Sequence, residues 1–496
     1  MRKKLAITNI AFSLLLEVVT VLSGFIIPRL MIQSFGSASN GLVNSITSFV
    51  GYISILQLGV GSVIKAAMYK PLAQKDGKSL NTIVRTTENF FAKIGVVSCF
   101  YIGILAVLYP IMVAKDFDYV YTASLIVIIG IGTVAQYLFG ITYQMLLEAD
   151  QRSYVYSVVQ IATIVLNTIA VIILIRLNCS IQIVKLASAV FFVLRPIVIG
   201  AYSRKKYSID KNATINSEII SQRWEGFSQG IAYFIHSKTD VFVLTLLSTF
   251  ASISVYSVYA LVTTGLTALI NCVDKAVRAA FGNIFASNEI KQLRKIFSAY
   301  NNLMHIFIPI CFSTAAVTIY KFIEVYVSDV KDTNYIQPVF GTIMITAEMF
   351  YCLRLSYNGI VFVAGRFKET RISAYIEAIL NIVISVALIK PFGIVGVAIG
   401  TLVAMIYRTV AFIVYLHKEI LELGYCSQIK RFLTTISSYM IMIFILSKIH
   451  IDVHNYYSWA MYASVVFLLS SIGIVIMNLV LDFKGTKSAI GIILRK

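Results

Sequence analysis

Apolar stretches of 18 or more residues recur along the whole chain, separated by short polar or basic breaks. Such stretches are long enough to cross a bilayer as helices. The pattern predicts spans over roughly 7–32, 40–66, 88–113, 119–147, 154–175, 181–202, 227–249, 253–280, 298–327, 335–364, 370–390, 394–416, 431–448 and 457–481. The reading is an all-α polytopic membrane protein with about 14 transmembrane helices. Fourteen is even, so both termini are expected on one side.

The basic residues choose that side. With the N-terminus inside, inner segments carry roughly 29 Lys and Arg, and outer turns carry 6: Lys115, Arg176, Lys321, Lys331, Lys390 and Lys448. That bias holds loop by loop and places both termini in the cytoplasm. The basic start Met1-Arg2-Lys3-Lys4 resembles a signal peptide. The run behind it is too long and has no small-residue cleavage site, so it reads as a retained first span.

The longest hydrophilic segment, Ser203–Trp224, falls between the sixth and seventh spans and divides the chain. The expected organisation is an N-lobe over 1–202, a cytoplasmic linker over 203–226, a C-lobe over 227–420, and a helix pair with a tail over 421–496. The halves resemble each other at a nearly constant offset of 213–214 residues: Arg195 with Arg408, Asn167 with Asn381, Tyr143 with Tyr357, and the segment from Leu72 to Asp76 with that from Phe285 to Glu289. Two pseudo-symmetric six-helix bundles follow, in parallel orientation, as in transporters built from repeats. The last two spans have no counterpart.

Composition agrees and excludes other classes. The chain has 496 residues, 58% of them hydrophobic and 13% charged, too apolar for a soluble domain. The net charge of +19 is spread through the loops and forms no compact basic domain, which argues against a nucleic-acid partner and for attraction to anionic membrane lipid. The six cysteines lie in or near apolar runs without paired spacing, and read as packing residues rather than disulfides or metal ligands. No phosphate-binding glycine loop is present, and no cofactor is expected.

Candidate chemistry lies in the charges within spans, each costing about 2.5–3.5 kcal/mol at bilayer depth. Arg29, beside Pro28, and Lys65 either face a wet interior or snorkel to an interface. Asp274 and Arg278 are four apart on one helical face and can pair. Lys275 and Arg278 can form a two-pronged basic patch. His236 and Asp240 are also four apart. Glu348 and Arg354 could form an internal ion pair. Glu17, His236, Asp240 and Asp274 are the candidates for coupling to H+ or Na+. A cavity rich in Arg and Lys suits phosphate. An organic-cation exporter needs a carboxylate-dominated pocket with aromatics, which Glu17 and Asp240 could supply.

The pieces Ser23-Gly24-Phe25, Pro28-Arg29, Phe35-Gly36, Asn40-Gly41-Leu42-Val43, Leu58-Gly59-Val60-Gly61 and Tyr69-Lys70-Pro71-Leu72 resemble the start of bacterial O-antigen and capsular polysaccharide repeat-unit flippases. These are Wzx-type members of the MATE-like multidrug/oligosaccharidyl-lipid/polysaccharide exporter superfamily. The resemblance implies a MATE-like fold, a basic cleft between lobes, and no enzymatic step. It implies movement of undecaprenyl-diphosphate-linked oligosaccharide repeat units across the cytoplasmic membrane by alternating access. Polysaccharide polymerase and glycosyltransferases would be partners. Arg29 sits in a matching piece, and Lys65 lies where such proteins often carry a basic residue. Arg29, Lys65, Lys275, Arg278 and Arg354 would then receive the diphosphate. A MATE-type cation antiporter and a lipid II flippase are the alternatives.

Overall fold

The computed structural model describes residues 2–210, 212–216, 218–219, 227–287, 289–366, 368–421, 425–449, 451–483 and 485–486. Within helices, the side chains at 2–4, 6, 62, 227–233, 236, 237, 276, 279, 280, 283, 286 and 427 lie outside that description. Among the described residues every regular element is helical. Hydrocarbon offers no partner for backbone N–H and C=O groups, and a helix satisfies them internally.

The elements are α1 (Arg2–Gly51), α2 (Val60–Gln74), α3 (Gly77–Met112), α4 (Tyr119–Ala135), α5 (Ile141–Ala149), α6 (Ser153–Arg176), α7 (Ile181–Tyr207), α8 (Phe227–Leu247), α9 (Phe250–Ala286), α10 (Ile290–Tyr326), α11 (Pro338–Val363), α12 (Arg371–Phe392), α13 (Ile394–Tyr415), α14 (Cys426–Leu446) and α15 (Tyr456–Leu481). Twelve stretches of the described residues are long and apolar enough to cross a membrane. One of them, Ile7–Gln57, covers the first expected span and the start of the second. It is interrupted at Gly36, whose φ of 83° leaves the helical region. Each of the fourteen expected spans falls on helical elements. The chain is a multi-pass membrane protein.

The second expected span is not one helix. After Gly51 it tightens into a 3₁₀ turn over Tyr52–Gln57, then restarts as α2 behind Gly59, whose φ is 79°. A π-turn over Gln136–Gly140 likewise separates α4 from α5.

The helices pack into two compact units, Met1–Phe234 and Ile235–Lys496. In the first, Ile64 and Met68 of α2, Val84 and Phe91 of α3, and Leu146 and Leu147 of α5 share one buried cluster. In the second, Ile306, Ile310 and Val317 of α10 pack with Met442 and Leu446 of α14 and Tyr462, Val466 and Ile474 of α15. That cluster docks the unmatched helix pair. Arg431 reinforces it, bonding Asn302 of α10 and, at 2.9 Å, Asp482. Large side chains such as Phe100 and Val480 are 70% and 78% exposed, as acyl-chain contact requires.

The repeat offset survives as contact. In the first unit Tyr143 donates its hydroxyl to Glu88 and receives Arg204 Nε at 2.5 Å. In the second, Asn301 Nδ2 reaches the Tyr357 hydroxyl at 3.1 Å, and the His417 ring packs on the Tyr357 ring. Glu88, Tyr143 and Arg204 become Asn301, Tyr357 and His417, at offsets of 213, 214 and 213. The tyrosine keeps a contact with both matching positions, while Glu88 and Arg204 give way to Asn301 and His417.

Candidate functional site: a cationic cavity in the first unit

The broken second span and the π-turn line the same space. A cavity of about 980 Å³ opens in the first unit, bordered by Gln57, Leu58, Gly59, Gly61 and Lys65 on one side and Gln136, Gln144 and Glu148 on another. Asn167 of α6, Lys185, Ser188 and Arg195 of α7, and Thr47, Thr133 and Tyr137 add to its polar lining. Irregular backbone at membrane depth is tolerated where it borders such a cavity. Three cations face one carboxylate there, so the cavity favours an anion.

Each charge has a defined support. Lys65 Nζ lies 3.1 Å from Glu148 Oε2, with the two side chains 35% and 31% exposed. Gln144 donates to the other Glu148 oxygen at 2.9 Å, and Gln136 to Gln144 at 3.4 Å. A polar ladder therefore runs from the π-turn to Lys65. Arg195 donates Nε to Thr163 at 3.1 Å and lies over the Phe192 ring. Asn167 is 5% exposed, and its side-chain oxygen has no hydrogen-bond partner among the described residues.

The second unit carries a contrasting arrangement. Arg278, the offset counterpart of Lys65, bonds Asp274 on its own helix, as four-residue spacing predicts, and its guanidinium lies over Phe362. Tyr300 adds a 3.4 Å contact to Asp274. Arg354 acts on Glu348 as a nearby charge, while its direct salt bridge goes elsewhere. Six residues along a helix place the two on different faces. Its partner is Glu377 of α12, at 2.7 Å, and Arg408 of α13 approaches the other Glu377 oxygen at 3.3 Å. Arg408 also donates to the Thr370 carbonyl at 3.0 Å and to Ser373 Oγ at 2.5 Å. This Arg–Glu–Arg group is almost fully buried and joins α11, α12 and α13.

Asp240 forms a separate polar centre. It is 4% exposed; the Thr401 hydroxyl lies 2.9 and 3.0 Å from its two oxygens, and Tyr256 donates at 3.0 Å. Asn381 Nδ2 is 3.5 Å from Asp240 Oδ1, while the Asn381 side-chain oxygen is buried and unpartnered. A buried carboxylate beside an unmet oxygen acceptor suits a small cation or a proton. Glu348 lies nearby in electrostatic terms and meets Thr267 at 3.4 Å.

Of the expected site residues, only Lys65 lines the cavity. Arg29 and Glu17 are half-buried on the first half of α1, and Lys275 is exposed on α9. Arg278 and Arg354 are committed to internal pairs with Asp274 and Glu377. The His236 side chain lies outside the described residues. Glu148, Lys185 and Arg195 belong to the cavity and were not expected there. Glu148 sits two residues before Asp150 and reads from sequence as part of a solvated loop. Arg195 stood out only as a repeat marker.

No family model matches the chain, and no curated protein matches it. Solved structures do. The lipid II flippase MurJ in an inward closed conformation superposes with a TM-score of 0.69 at 15% identity, covering 93% of this chain and 98% of that one. The MATE multidrug transporter DinF-BH gives 0.61 at 14% identity, over 84% and 95% of the two chains. An inward-facing multidrug resistance MATE family transporter of the MOP superfamily gives 0.58 at 13%, over 82% and 95%. At these identities the likeness defines the fold: a MATE/MurJ-like helical fold.

Proposed function

We propose that this chain is a flippase that moves undecaprenyl-diphosphate-linked oligosaccharide repeat units across the bacterial cytoplasmic membrane, for capsule, O-antigen or exopolysaccharide synthesis. The carrying observation is the first-unit cavity, with Lys65, Lys185 and Arg195 set against Glu148 alone. A diphosphate cannot enter hydrocarbon bare. Ammonium and guanidinium groups beside a wet cavity neutralise it at the depth where neutralisation is needed. The carboxamides of Gln57, Gln136, Gln144 and Asn167 offer donors and acceptors to sugar hydroxyls. No bond in the cargo is made or broken, so the chain is read as a transporter and not an enzyme.

Lys65 anchors the diphosphate in this reading, with Arg195 and Lys185 deeper along α7, and Arg29 contributing from α1. Asp240, with Asn381, Thr401 and Tyr256, takes H+ or Na+ and couples a gradient to alternating access. Arg278 and Arg354, already paired, keep the second unit's helices in place. Glycosyltransferases supply the cargo and a polymerase consumes it. Both termini lie in the cytoplasm.

The fold shared with MurJ favours one rival, a lipid II flippase, whose cargo also carries a diphosphate. Proteoliposomes test both. With a fluorescent polyprenyl-diphosphate oligosaccharide, wild-type protein should bring label to the opposite leaflet, and Lys65→Met or Arg195→Gln should slow this at least about tenfold, the factor that ~1.4 kcal/mol represents. Wild-type rates in both variants would overturn the proposal. Transport of lipid II alone would select the rival.

A further inference from the structure

We propose that Glu148 is a tethered competitor occupying the anion position on Lys65, and so sets which anions the cavity accepts. The inference rests on the anion-binding reading above and adds a specificity-determining residue to it.

The geometry separates this pair from the Asp274 and Glu377 ion pairs of the second unit. Arg278 holds a carboxylate from its own helix, Asp274, of which 2% is exposed. Arg354 and Arg408 share Glu377, of which 4% is exposed. Those counter-ions are enclosed, and removing one strands a buried charge. Lys65 has no carboxylate on its own helix at that spacing: Gly61 stands where the second unit has Asp274, at the same offset of 213. Its counter-ion comes from another helix, α5, and both partners are about one-third exposed to the cavity. In the second unit Phe362 stands at the position that matches Glu148, so Arg278 meets a ring instead of a carboxylate. Only one Glu148 oxygen engages Lys65, and the Gln136–Gln144 ladder holds the other. Once displaced, Glu148 therefore retains a hydrogen bond.

A partly exposed pair of this kind is weak and shifts an equilibrium only about fivefold at most. An incoming anion must exceed that modest attraction. A monoanion brings the charge that Glu148 already supplies and gains nothing from the exchange. A diphosphate brings several charges and reaches Lys65 while its other oxygens meet Arg195 or Lys185. Glu148 thus disfavours chloride and carboxylates relative to diphosphate.

The test is equilibrium binding of inorganic diphosphate, inorganic phosphate and acetate to the purified full-length protein, read by calorimetry. Wild type should bind diphosphate and not acetate at equal concentration. Glu148→Gln, which keeps the shape and the Gln144 contact, should tighten diphosphate binding about threefold to fivefold and allow acetate to compete. Glu148→Asp, one methylene shorter, should do the same to a smaller degree and guards against a misfolded Gln variant. In a Lys65→Met background the Glu148→Gln gain should vanish. Unchanged or weaker diphosphate binding in Glu148→Gln and Glu148→Asp, with Lys65→Met still losing it, overturns the competitor and leaves the anion site standing. Undiminished diphosphate binding in Lys65→Met, or none in wild type, overturns the anion site itself.

Discussion

The two units share a repeat and differ in where their charge is kept. At matching positions the first unit has Lys65, Thr163, Arg195 and Asn167, and the second has Arg278, Glu377, Arg408 and Asn381. In the first, Arg195 has a neutral hydroxyl partner and Lys65 a partly exposed carboxylate, and both border a cavity. In the second, the equivalent arginines are paired with enclosed carboxylates, Asp274 and Glu377, although Arg278 itself is 31% exposed. One copy of the repeat keeps its cations exchangeable. The other holds them in ion pairs with Asp274 and Glu377 and sets a further buried carboxylate, Asp240, among Thr401, Tyr256 and Asn381, with Glu348 nearby. The matching positions thus carry different counter-ions in the two units.

Substitutions in each unit and one titration sharpen that contrast. Glu377→Gln leaves Arg354 and Arg408 together without a carboxylate. The expected loss is about 3–5 kcal/mol, seen as failure to accumulate or a collapsed thermal transition. The counterpart change, Thr163→Ala, removes one hydrogen bond to a charged group and should cost about 1.5–3 kcal/mol at most. Equal losses would remove the distinction. Tyr357→Phe unsatisfies buried Asn301 and His305 and should cost about 1–3 kcal/mol in the same thermal assay. Tyr143→Phe should cost less, because Arg204 and Glu88 already lie 3.7 Å apart and can close directly.

Asp240→Asn should leave the fold intact and abolish the dependence of transport on a sodium or proton gradient, a coupling of about tenfold. Retained gradient dependence would remove Asp240 from that role. Glu148→Gln should change thermal stability by less than about 1 kcal/mol, unlike Glu377→Gln. The smallest effect concerns Asp76, at the start of α3. Its carboxylate accepts from the Ser79 side chain and, at 3.1 Å, from the Ser79 N–H, and these bonds hold it below the ordinary carboxylate range. The cap is complete above that range and is lost as pH falls through the lowered value. Asp76→Ala should therefore remove a slight acid-side loss of stability in a thermal scan across pH.

Hydropathy made the spans legible because a bilayer imposes one length and one composition on each. The repeat was legible where like residues recur, at Asn167 and Asn381 or Arg195 and Arg408. It was hidden where the copies diverged in charge, as at Thr163 and Glu377. The Asp274–Arg278 pair could be read from helical spacing. Lys65–Glu148 could not, since 83 residues separate them and their meeting depends on the break at Gly59 and the π-turn after Ala135. Sequence spacing offers Glu348 to Arg354, and the two do interact electrostatically, but the direct salt bridge comes from Glu377 on the next helix. Asp240 stood out as an in-span carboxylate, whereas its neutral ligands on three other helices carry no sequence signal.

The most direct measurement is a structure of the protein with a polyprenyl-diphosphate oligosaccharide bound. The account predicts the diphosphate within hydrogen-bond reach of Lys65 Nζ in the first-unit cavity, with Glu148 drawn back onto Gln144. A diphosphate seated elsewhere, with the Lys65–Glu148 pair intact, would contradict it.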